Sequence, residues 1–176
     1  MRTAIATLIA ALSLCVSPLS AQNDSSETDK LEPLRFLVGH CWQASFPGTE
    51  ATDTHCWEEM LGGVFIRDTH VVEGRPEPYS GEAIYGVSAD AQLATFTYFN
   101  SLGGTSAGQM VNAGDRLMFP GEMHQNADGS TIVLRSVMVR VGEHEYIMTT
   151  EQQTAKVWSE LWSLKFQKLD GSPRAD

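Results

Sequence analysis

The sequence predicts an all-β fold, an antiparallel up-and-down β-barrel of about ten strands with a short N-terminal helix. Short segments rich in β-branched and aromatic residues recur at intervals of roughly 8–14 residues. Clusters of glycine, proline, asparagine and aspartate separate these segments, as turns require. The connections are also too short for the crossovers of a parallel sheet. Consecutive strands should therefore pair as hairpins, and closure of the sheet would remove its free edges.

Residues 1–21 have the three-part layout of a secretory signal peptide. Arg2 gives a basic start, an apolar run follows over residues 4–16, and Pro18 and small residues lead to Ala21. The apolar run is shorter than the roughly 20 residues of a membrane span. We therefore expect cleavage near Ala21 and a periplasmic or secreted protein.

The remaining chain is long enough for one domain with a substantial core, which we assign to residues 31–168. Residues 22–30 are polar and should be disordered, and residues 169–176 should form a loose tail. The full chain has a net charge of −10, and the loss of Arg2 with the leader makes the mature chain one unit more negative. This charge disfavours nucleic acid and anionic membrane surfaces as partners. No second apolar segment suggests a membrane span.

One segment favours a helix, residues 30–39 with the sequence KLEPLRFLVG, because Pro33 suits a first turn and Gly39 suits a helix end. Every later segment favours a strand. The first two strands flank a turn signal at residues 46–48. The other predicted strands lie within residues 63–74, 80–91, 92–104, 105–115, 116–124, 130–153 (a hairpin around Gly142-Glu143) and 156–168.

Two cysteines remain after the leader, which contains the third. Cys41 and Cys56 flank the turn signal, and a hairpin centred near Gly48-Thr49 would bring them opposite each other. An even pair in an oxidising compartment predicts a disulfide, worth roughly 3 kcal/mol for a loop of this size. Metal binding and free thiols are the alternatives. Zinc fits less well, because His40 and Cys41 are strand neighbours whose side chains point to opposite faces.

The order of these features resembles the calycin superfamily, which includes lipocalins, fatty-acid-binding proteins and nitrobindins. The likeness covers roughly residues 34–168 and is closest to small exported bacterial barrels. It rests on the N-terminal helix, on Gly39-His-Cys-Trp42 at the first strand, and on the strand meander. Segments such as GGVFIRDTH, PYSGEAIY, YFNSLGG and VLRSVMVR and the closing pattern Trp158-x-x-x-Trp162-x-x-x-Phe166 contribute to it. The resemblance implies a barrel that holds one small ligand.

The chain departs from these families at two points. Lipocalins have Gly-x-Trp, whereas one more residue separates Gly39 from Trp42 here. Nitrobindins bind haem iron through a histidine near the C-terminus, and this chain has no histidine after His144. We therefore predict no cofactor and disfavour haem.

Polar residues on predicted inward faces are the candidate ligand contacts. On the strand within residues 63–74, one face carries Val64, Ile66, Asp68, His70 and Val72, so an acid and a histidine should face the interior. Arg135 lies among valines, where a charged group needs a carboxylate or the anionic head of a ligand.

Aromatic residues complete the predicted site. Tyr85 and Tyr98 could supply hydroxyl groups, and Trp158 and Trp162 could line the walls. Alternatives remain open for each assignment. Arg135 could instead form a structural ion pair with Glu151 or Glu82, His70 could be a hydrogen-bonded core histidine, and the tryptophans could be core residues.

The predicted turns conflict with these inward faces. A two-residue turn at Gly142-Glu143 puts Arg135 on the face of Tyr146, and a tight turn at Thr154-Ala155 then puts Leu161 rather than Trp162 on that face. One turn, or the chosen interior, must be wrong.

The sequence favours a barrel that binds a small, mostly apolar molecule, with an anionic head group as one possibility. The alternative is a barrel filled by its own side chains that acts in interactions or envelope structure. A cavity-based isomerase, cyclase or hydrolase is less favoured, because no nucleophile elbow, zinc-protease motif, phosphate loop or dinucleotide fingerprint is present. A carboxylate and a histidine in contact inside an open cavity would favour the enzyme.

Overall fold

The computed structural model describes residues 29–89 and 93–171. Ten antiparallel strands follow one another in chain order around a closed barrel, and the first strand pairs with the last. The predicted all-β, up-and-down barrel is therefore confirmed. The predicted signal peptide, residues 22–28 of the polar segment after it and residues 172–176 of the C-terminal tail lie outside the described residues.

The strands fall close to the segments that alternation indicates. They are β1 His40–Ser45, β2 Thr52–Met60, β3 Phe65–Glu73, β4 Tyr79–Val87, β5 Ala94–Asn100, β6 Thr105–Asn112, β7 Leu117–Gln125, β8 Thr131–Arg140, β9 Glu145–Thr154 and β10 Val157–Lys168. A short 3-10 turn, Leu61–Gly63, connects β2 to β3. Among the described residues, no helix is long and apolar enough to cross a bilayer.

The predicted ten-residue helix is not confirmed. Its place is taken by one 3-10 turn, Glu32–Leu34, followed by further turns with hydrogen bonds between residues three apart. With three residues per turn, Leu31, Leu34 and Leu37 fall on one side, and all three are buried. A 3-10 conformation buries these leucines together over the barrel end, which explains why the helix does not form.

The segment of residues 31–38, here called the N-terminal cover, closes one end of the barrel. The indole Nε1 of Trp42 donates a hydrogen bond to the carbonyl of Leu37 at 3.2 Å. The Phe36 ring packs edge-on against Trp42 and Tyr146. The barrel half beneath the cover is filled mainly by large apolar side chains, and this half is called the covered half below. Its fully buried members include Trp42, Trp57, Tyr146, Leu164 and Phe166.

The predicted disulfide is present. Cys41 lies opposite Cys56 in the β1–β2 hairpin, and the two sulfur atoms are bonded. Because Trp42 and Trp57 point inward, their neighbours Cys41 and Cys56 point to the outer surface. The bond therefore joins the first two strands from outside and leaves the interior free.

Two turns settle the conflict between the predicted registers. The β8–β9 connection has three residues between Val141 and Glu145, one more than predicted, so Arg135 pairs with Glu151. The β9–β10 turn is at Ala155-Lys156, both with positive φ, and a bulge between Glu160 and Trp162 then shifts the register. These changes bring Trp162 opposite Thr150 and turn it inward.

Candidate functional site

The half of the barrel away from the N-terminal cover, called the open half, contains a cavity of about 460 Å³. It extends to the exposed side chains of Arg75 and Leu161 at the open end. Its apolar walls are formed by Phe46, Val72, Ala83, Tyr85, Phe96, Phe119, Ile132, Leu134, Met148 and Trp162. Its polar lining consists of Asp53, His55, Asp68, His70, Tyr79, Tyr98, Glu122, His124, Asn126, Ser136 and Thr150.

Two aspartates and two histidines form a cluster on the wall that β2 and β3 supply. Nδ1 of His55 lies 2.8 Å from the Asp68 carboxylate, and its Nε2 lies 3.3 Å from Asp53. Nδ1 of His70 lies 2.9 Å from the other oxygen of Asp53. The two imidazole rings stack with their centroids 4.6 Å apart. These contacts join all four side chains into one network, called the Asp–His cluster below.

Strand register explains why these four residues meet. Asp53 and His55 alternate along β2, Asp68 and His70 alternate along β3, and His55 pairs directly with His70. Each aspartate contacts the histidine on the neighbouring strand that is diagonal to it, within the reach expected for such pairs. Carboxylates at these buried positions need the donors that the imidazoles supply.

The network continues through two tyrosines. Nε2 of His70 lies 3.0 Å from the Tyr98 hydroxyl, which lies 2.8 Å from the hydroxyl of Tyr79. Gly81 pairs with His70 on the neighbouring strand, and a Cβ at residue 81 would overlap both the Tyr98 hydroxyl and Nε2 of His70. Glycine is therefore required here for a hydrogen bond between side chains, and not for a turn.

The cluster shifts the pKa of its members strongly. Burial favours the neutral form of His55, but the carboxylates of Asp68 and Asp53 outweigh burial and raise its pKa to about 10. Burial opposes ionisation of Asp53, yet hydrogen bonds from His55 and His70 hold the pKa of this carboxyl far below its usual value. Burial and the contact with Tyr79 raise the pKa of Tyr98. His55 is therefore an imidazolium ion between two carboxylates at neutral pH.

A second polar group lies across the cavity on β6 and β7. The Ser106 hydroxyl lies 2.7 Å from Nδ1 of His124, and both side chains are buried. Burial raises the pKa of Glu122 to about 7, although a hydrogen bond with Ser106 opposes the shift. Burial also lowers the pKa of His124, against the effect of Asn126. At neutral pH this wall therefore carries the partly ionised Glu122, whereas the opposite wall carries the charges of the Asp–His cluster.

The structure brings five of the seven predicted ligand contacts to the cavity, namely Asp68, His70, Tyr85, Tyr98 and Trp162. Whether they contact a ligand stays a prediction.

The predicted interior positions of Arg135 and Trp158 are wrong. Both side chains lie on the outer surface, where the guanidinium of Arg135 bonds to Glu151 at 2.5 Å and stacks over the Trp158 ring at 4.4 Å. The extra residue in the β8–β9 turn directs Arg135 outward, because it moves the inward face of β8 to Leu134 and Ser136. Trp158 points outward although Trp162 points inward, because the bulge between Glu160 and Trp162 reverses the side-chain direction along β10. The structural ion pair with Glu151, the open alternative for Arg135, is present.

The predicted ligand contacts did not include several residues that line the cavity. Asp53, His55, Tyr79, Glu122 and His124 all line it. The D-x-H spacing of Asp53 and His55 was a usable signal, because the predicted disulfide fixes the outward face at Cys56 and so turns both inward. Glu122 and His124 follow a bulge in β7, so alternation alone does not reveal their direction.

The cluster also offers metal-ligand atoms. Single donor atoms of Asp53, His55 and His70 all lie within 4.8 Å of one another.

Comparison of the chain with protein-family models and with curated proteins gives no match.

Proposed function

We propose that this protein binds one small, mostly apolar molecule in the open half of its barrel. The cavity of about 460 Å³ is the observation that carries the proposal. Its volume, its largely apolar walls and its few convergent polar groups are typical of sites for small ligands. The alternative of a barrel filled by its own side chains describes only the covered half.

Membership of the calycin superfamily and export belong to the same proposal. The closed ten-stranded antiparallel barrel is consistent with a calycin-like protein. The Cys41–Cys56 disulfide is compatible with a periplasmic or secreted location.

The polar end of the ligand should be neutral or basic. Asp53, Asp68 and Glu122 give the cavity three carboxyl groups, of which Asp53 and Asp68 are deeply buried. The imidazolium of His55 already contacts the first two, and Arg75 is exposed at the mouth. An anionic head group would meet these carboxylates, and no buried cation is free among the described residues that line the cavity. An alcohol or amine could instead bond to the Tyr79 and Tyr98 hydroxyls, to His124 or to Glu122.

Three probes of equal chain length test this preference. Decanol, decylamine and decanoate should be titrated into the oxidised, metal-free protein and followed by calorimetry. We expect decanol and decylamine to bind at least tenfold more tightly than decanoate. Equal or tighter binding of decanoate would contradict the proposed head group, and no binding of any probe would contradict the apolar site.

Neighbouring residues on β9 give a matched pair of variants. Thr150 points into the cavity and Thr149 points to the outer surface, where it bonds to Ser163. Thr150→Phe should weaken decanol binding at least tenfold because the ring occupies the cavity, whereas Thr149→Phe should leave it unchanged. Equal effects of the two substitutions would place the binding site elsewhere.

The hydrogen-bond chain from Asp53 through His70 to Tyr98 favours a second candidate, acid–base chemistry on the bound molecule. It meets the condition of a carboxylate and a histidine in contact within an open cavity. Native mass spectrometry of the wild type and of Tyr98→Phe, purified from the same cells, tests it. If turnover needs Tyr98, the variant should co-purify with a molecule whose mass differs from that of the molecule bound to the wild type. Co-purification of the same molecule with both proteins would count against catalysis.

A further inference from the structure

We propose that Asp53, His55 and His70 bind one divalent transition-metal ion on the wall of the cavity. The ligand atoms are Nε2 of His55, Nδ1 of His70 and a carboxylate oxygen of Asp53. The proposal goes beyond the apolar binding site and does not depend on it.

The distances within the Asp–His cluster suit coordination. Metal–ligand bonds of about 2.1 Å in a tetrahedral site separate neighbouring ligand atoms by about 3.4 Å. Nε2 of His55 lies 3.3 Å from one oxygen of Asp53, and Nδ1 of His70 lies 2.9 Å from the other. Since all three donor atoms lie within 4.8 Å of one another, small side-chain rotations bring them to coordinating distance. In binding the ion, His55 releases its Nε2 proton to solvent and keeps the hydrogen that Nδ1 directs at Asp68. His70 binds as the tautomer with its hydrogen on Nε2, which it then donates to the Tyr98 hydroxyl.

The outer nitrogen of each histidine already has a partner. Nδ1 of His55 bonds to Asp68 at 2.8 Å, and Nε2 of His70 bonds to the Tyr98 hydroxyl at 3.0 Å. Histidine ligands of protein metals nearly always have such a partner on the second nitrogen, which fixes the tautomer and the ring orientation. Here both partners leave the proposed ligand atoms directed at Asp53. This arrangement separates the cluster from an ordinary group of polar residues.

Burial and donor chemistry select the class of ion. Asp53 and Asp68 are only 6% and 5% exposed, so a divalent cation would balance two carboxylates in a site of low water content. Two imidazoles and one carboxylate suit Zn²⁺, Fe²⁺ and Co²⁺ better than Mg²⁺ or Ca²⁺, which prefer oxygen ligands alone. The remaining coordination positions face the cavity and are open to water or to a small ligand.

Co²⁺ and Zn²⁺ are the probes for the test. The oxidised full chain, freed of metal with a chelator, should be titrated with Co²⁺ and followed by visible absorption, and Zn²⁺ should then displace the Co²⁺. We expect one equivalent of Co²⁺ to bind with a Kd in the micromolar range or tighter. With Zn²⁺, nitrogen NMR should show shifts of the ring nitrogens of His55 and His70. Absence of stoichiometric binding to the folded wild-type protein would overturn the proposal.

Variants distinguish this site from surface histidines. His55→Gln and His70→Gln should each weaken Co²⁺ binding at least 100-fold, and Asp68→Asn should weaken it 10- to 100-fold through the orientation of His55. The matched control is the double variant His40→Gln/His144→Gln, whose histidines lie outside the cavity. It should keep the wild-type Kd, and loss of binding in it would overturn the proposal.

Two measurements keep the test independent of folding and of the apolar ligand. Near-ultraviolet circular dichroism identifies variants that fail to fold. If the histidine variants do not fold, the NMR experiment on the wild type decides whether His55 and His70 bind the ion. The metal-free protein should still bind decanol if only the metal proposal is wrong. Conversely, binding of Co²⁺ at the cluster without binding of any apolar probe would support the metal site and contradict the proposed function.

Discussion

The covered half and the open half of the barrel are built from the same strands but differ in what those strands carry. β2 places Trp57 beneath the N-terminal cover and Asp53 and His55 in the cavity wall. β3 likewise carries Ile66 in one half and His70 in the other. Buried residues alternate along the whole of β3, and on β2 the buried Asp53 and Trp57 share one face with His55. Alternation is therefore common to the whole barrel, and the change from apolar to titratable side chains along each strand separates the packed half from the half that contains the cavity.

The difference has an energetic basis. Large apolar side chains in the covered half gain roughly 25 cal/mol for each Å² removed from water. Polar side chains in the open half gain little on burial, because each must recover in protein contacts what it loses in hydration. The stability of the barrel should therefore depend mostly on the covered half.

Two tryptophans make the most direct test of this comparison, and the effect should be the largest. Trp42 is fully buried in the covered half, whereas Trp162 lines the cavity. Trp42→Ala should lower the free energy of unfolding by about 3–5 kcal/mol, because it leaves a void in a packed core. Trp162→Ala should cost less than half as much, because a cavity already exists beside it. Urea unfolding measures both values, and equal costs would mean that the two halves do not differ.

The disulfide should have the next largest effect. It closes the β1–β2 hairpin with a sequence separation of 15 residues. The double variant Cys41→Ser/Cys56→Ser should lose about 3 kcal/mol of unfolding free energy under oxidising conditions, since its unfolded chain is less restricted. The reduced wild type is the control and should match the variant. Unchanged stability in the double variant would exclude a stabilising role.

The raised pKa of Glu122 should make the stability of the protein depend on pH. Burial raises its pKa from the ordinary 4.5 to about 7, with Ser106 opposing the shift. Between these values the folded protein holds a proton that the unfolded chain has lost, so Glu122 lowers stability as pH rises from about 4.5 to 7. Above pH 7 the loss is complete.

Glu122→Gln should remove this loss and raise the free energy of unfolding at pH 8 by about 1–3 kcal/mol, with little change at pH 4. Chemical unfolding at both pH values measures it. Glu160→Gln, at an exposed residue of β10, is the matched control and should leave the pH profile as in the wild type. An equal gain at pH 4 and pH 8 would mean that ionisation of Glu122 is not the cause.

Arg135 should give the smallest effect, because it belongs to neither half. It pairs with Glu151 and stacks on Trp158 on the outer surface, where ion pairs contribute little. Arg135→Met should leave both the affinity for decanol and the midpoint of urea unfolding close to the wild-type values. A marked loss of decanol affinity would mean that the cavity extends to the outer face of β8.

The sequence predicts the barrel well because each strand repeats the same alternation of side chains, and because glycine, proline, asparagine or aspartate marks most of the turns between strands. The pairing of Cys41 with Cys56 and the inward face that Asp68 and His70 share also follow from alternation and from one turn. Arg135 and Trp158 were misplaced because one extra turn residue or one bulge reverses every side chain beyond it. Such a change depends on the pairing of two strands and leaves little trace in either strand alone.

The Asp–His cluster shows the same limit. His55 meets His70 only after the register of β2 against β3 is fixed. The role of Gly81 depends on a third strand, because its missing side chain makes room for a bond between Tyr98 and His70. No local pattern contains this information.

The N-terminal cover has a consequence for the order of assembly. Phe36 packs against Tyr146 on β9 and beneath the guanidinium of Arg140 on β8, so the earliest described segment depends on some of the last strands. The contacts of the cover with β8 and β9 can form only after those strands have joined the sheet, whereas its contacts with Trp42 involve the neighbouring β1. Contacts between residues so distant in sequence form slowly. We therefore expect these contacts to form late in folding, and a nascent chain that lacks β8 and β9 would lack the Tyr146 ring and the Arg140 guanidinium against which Phe36 packs.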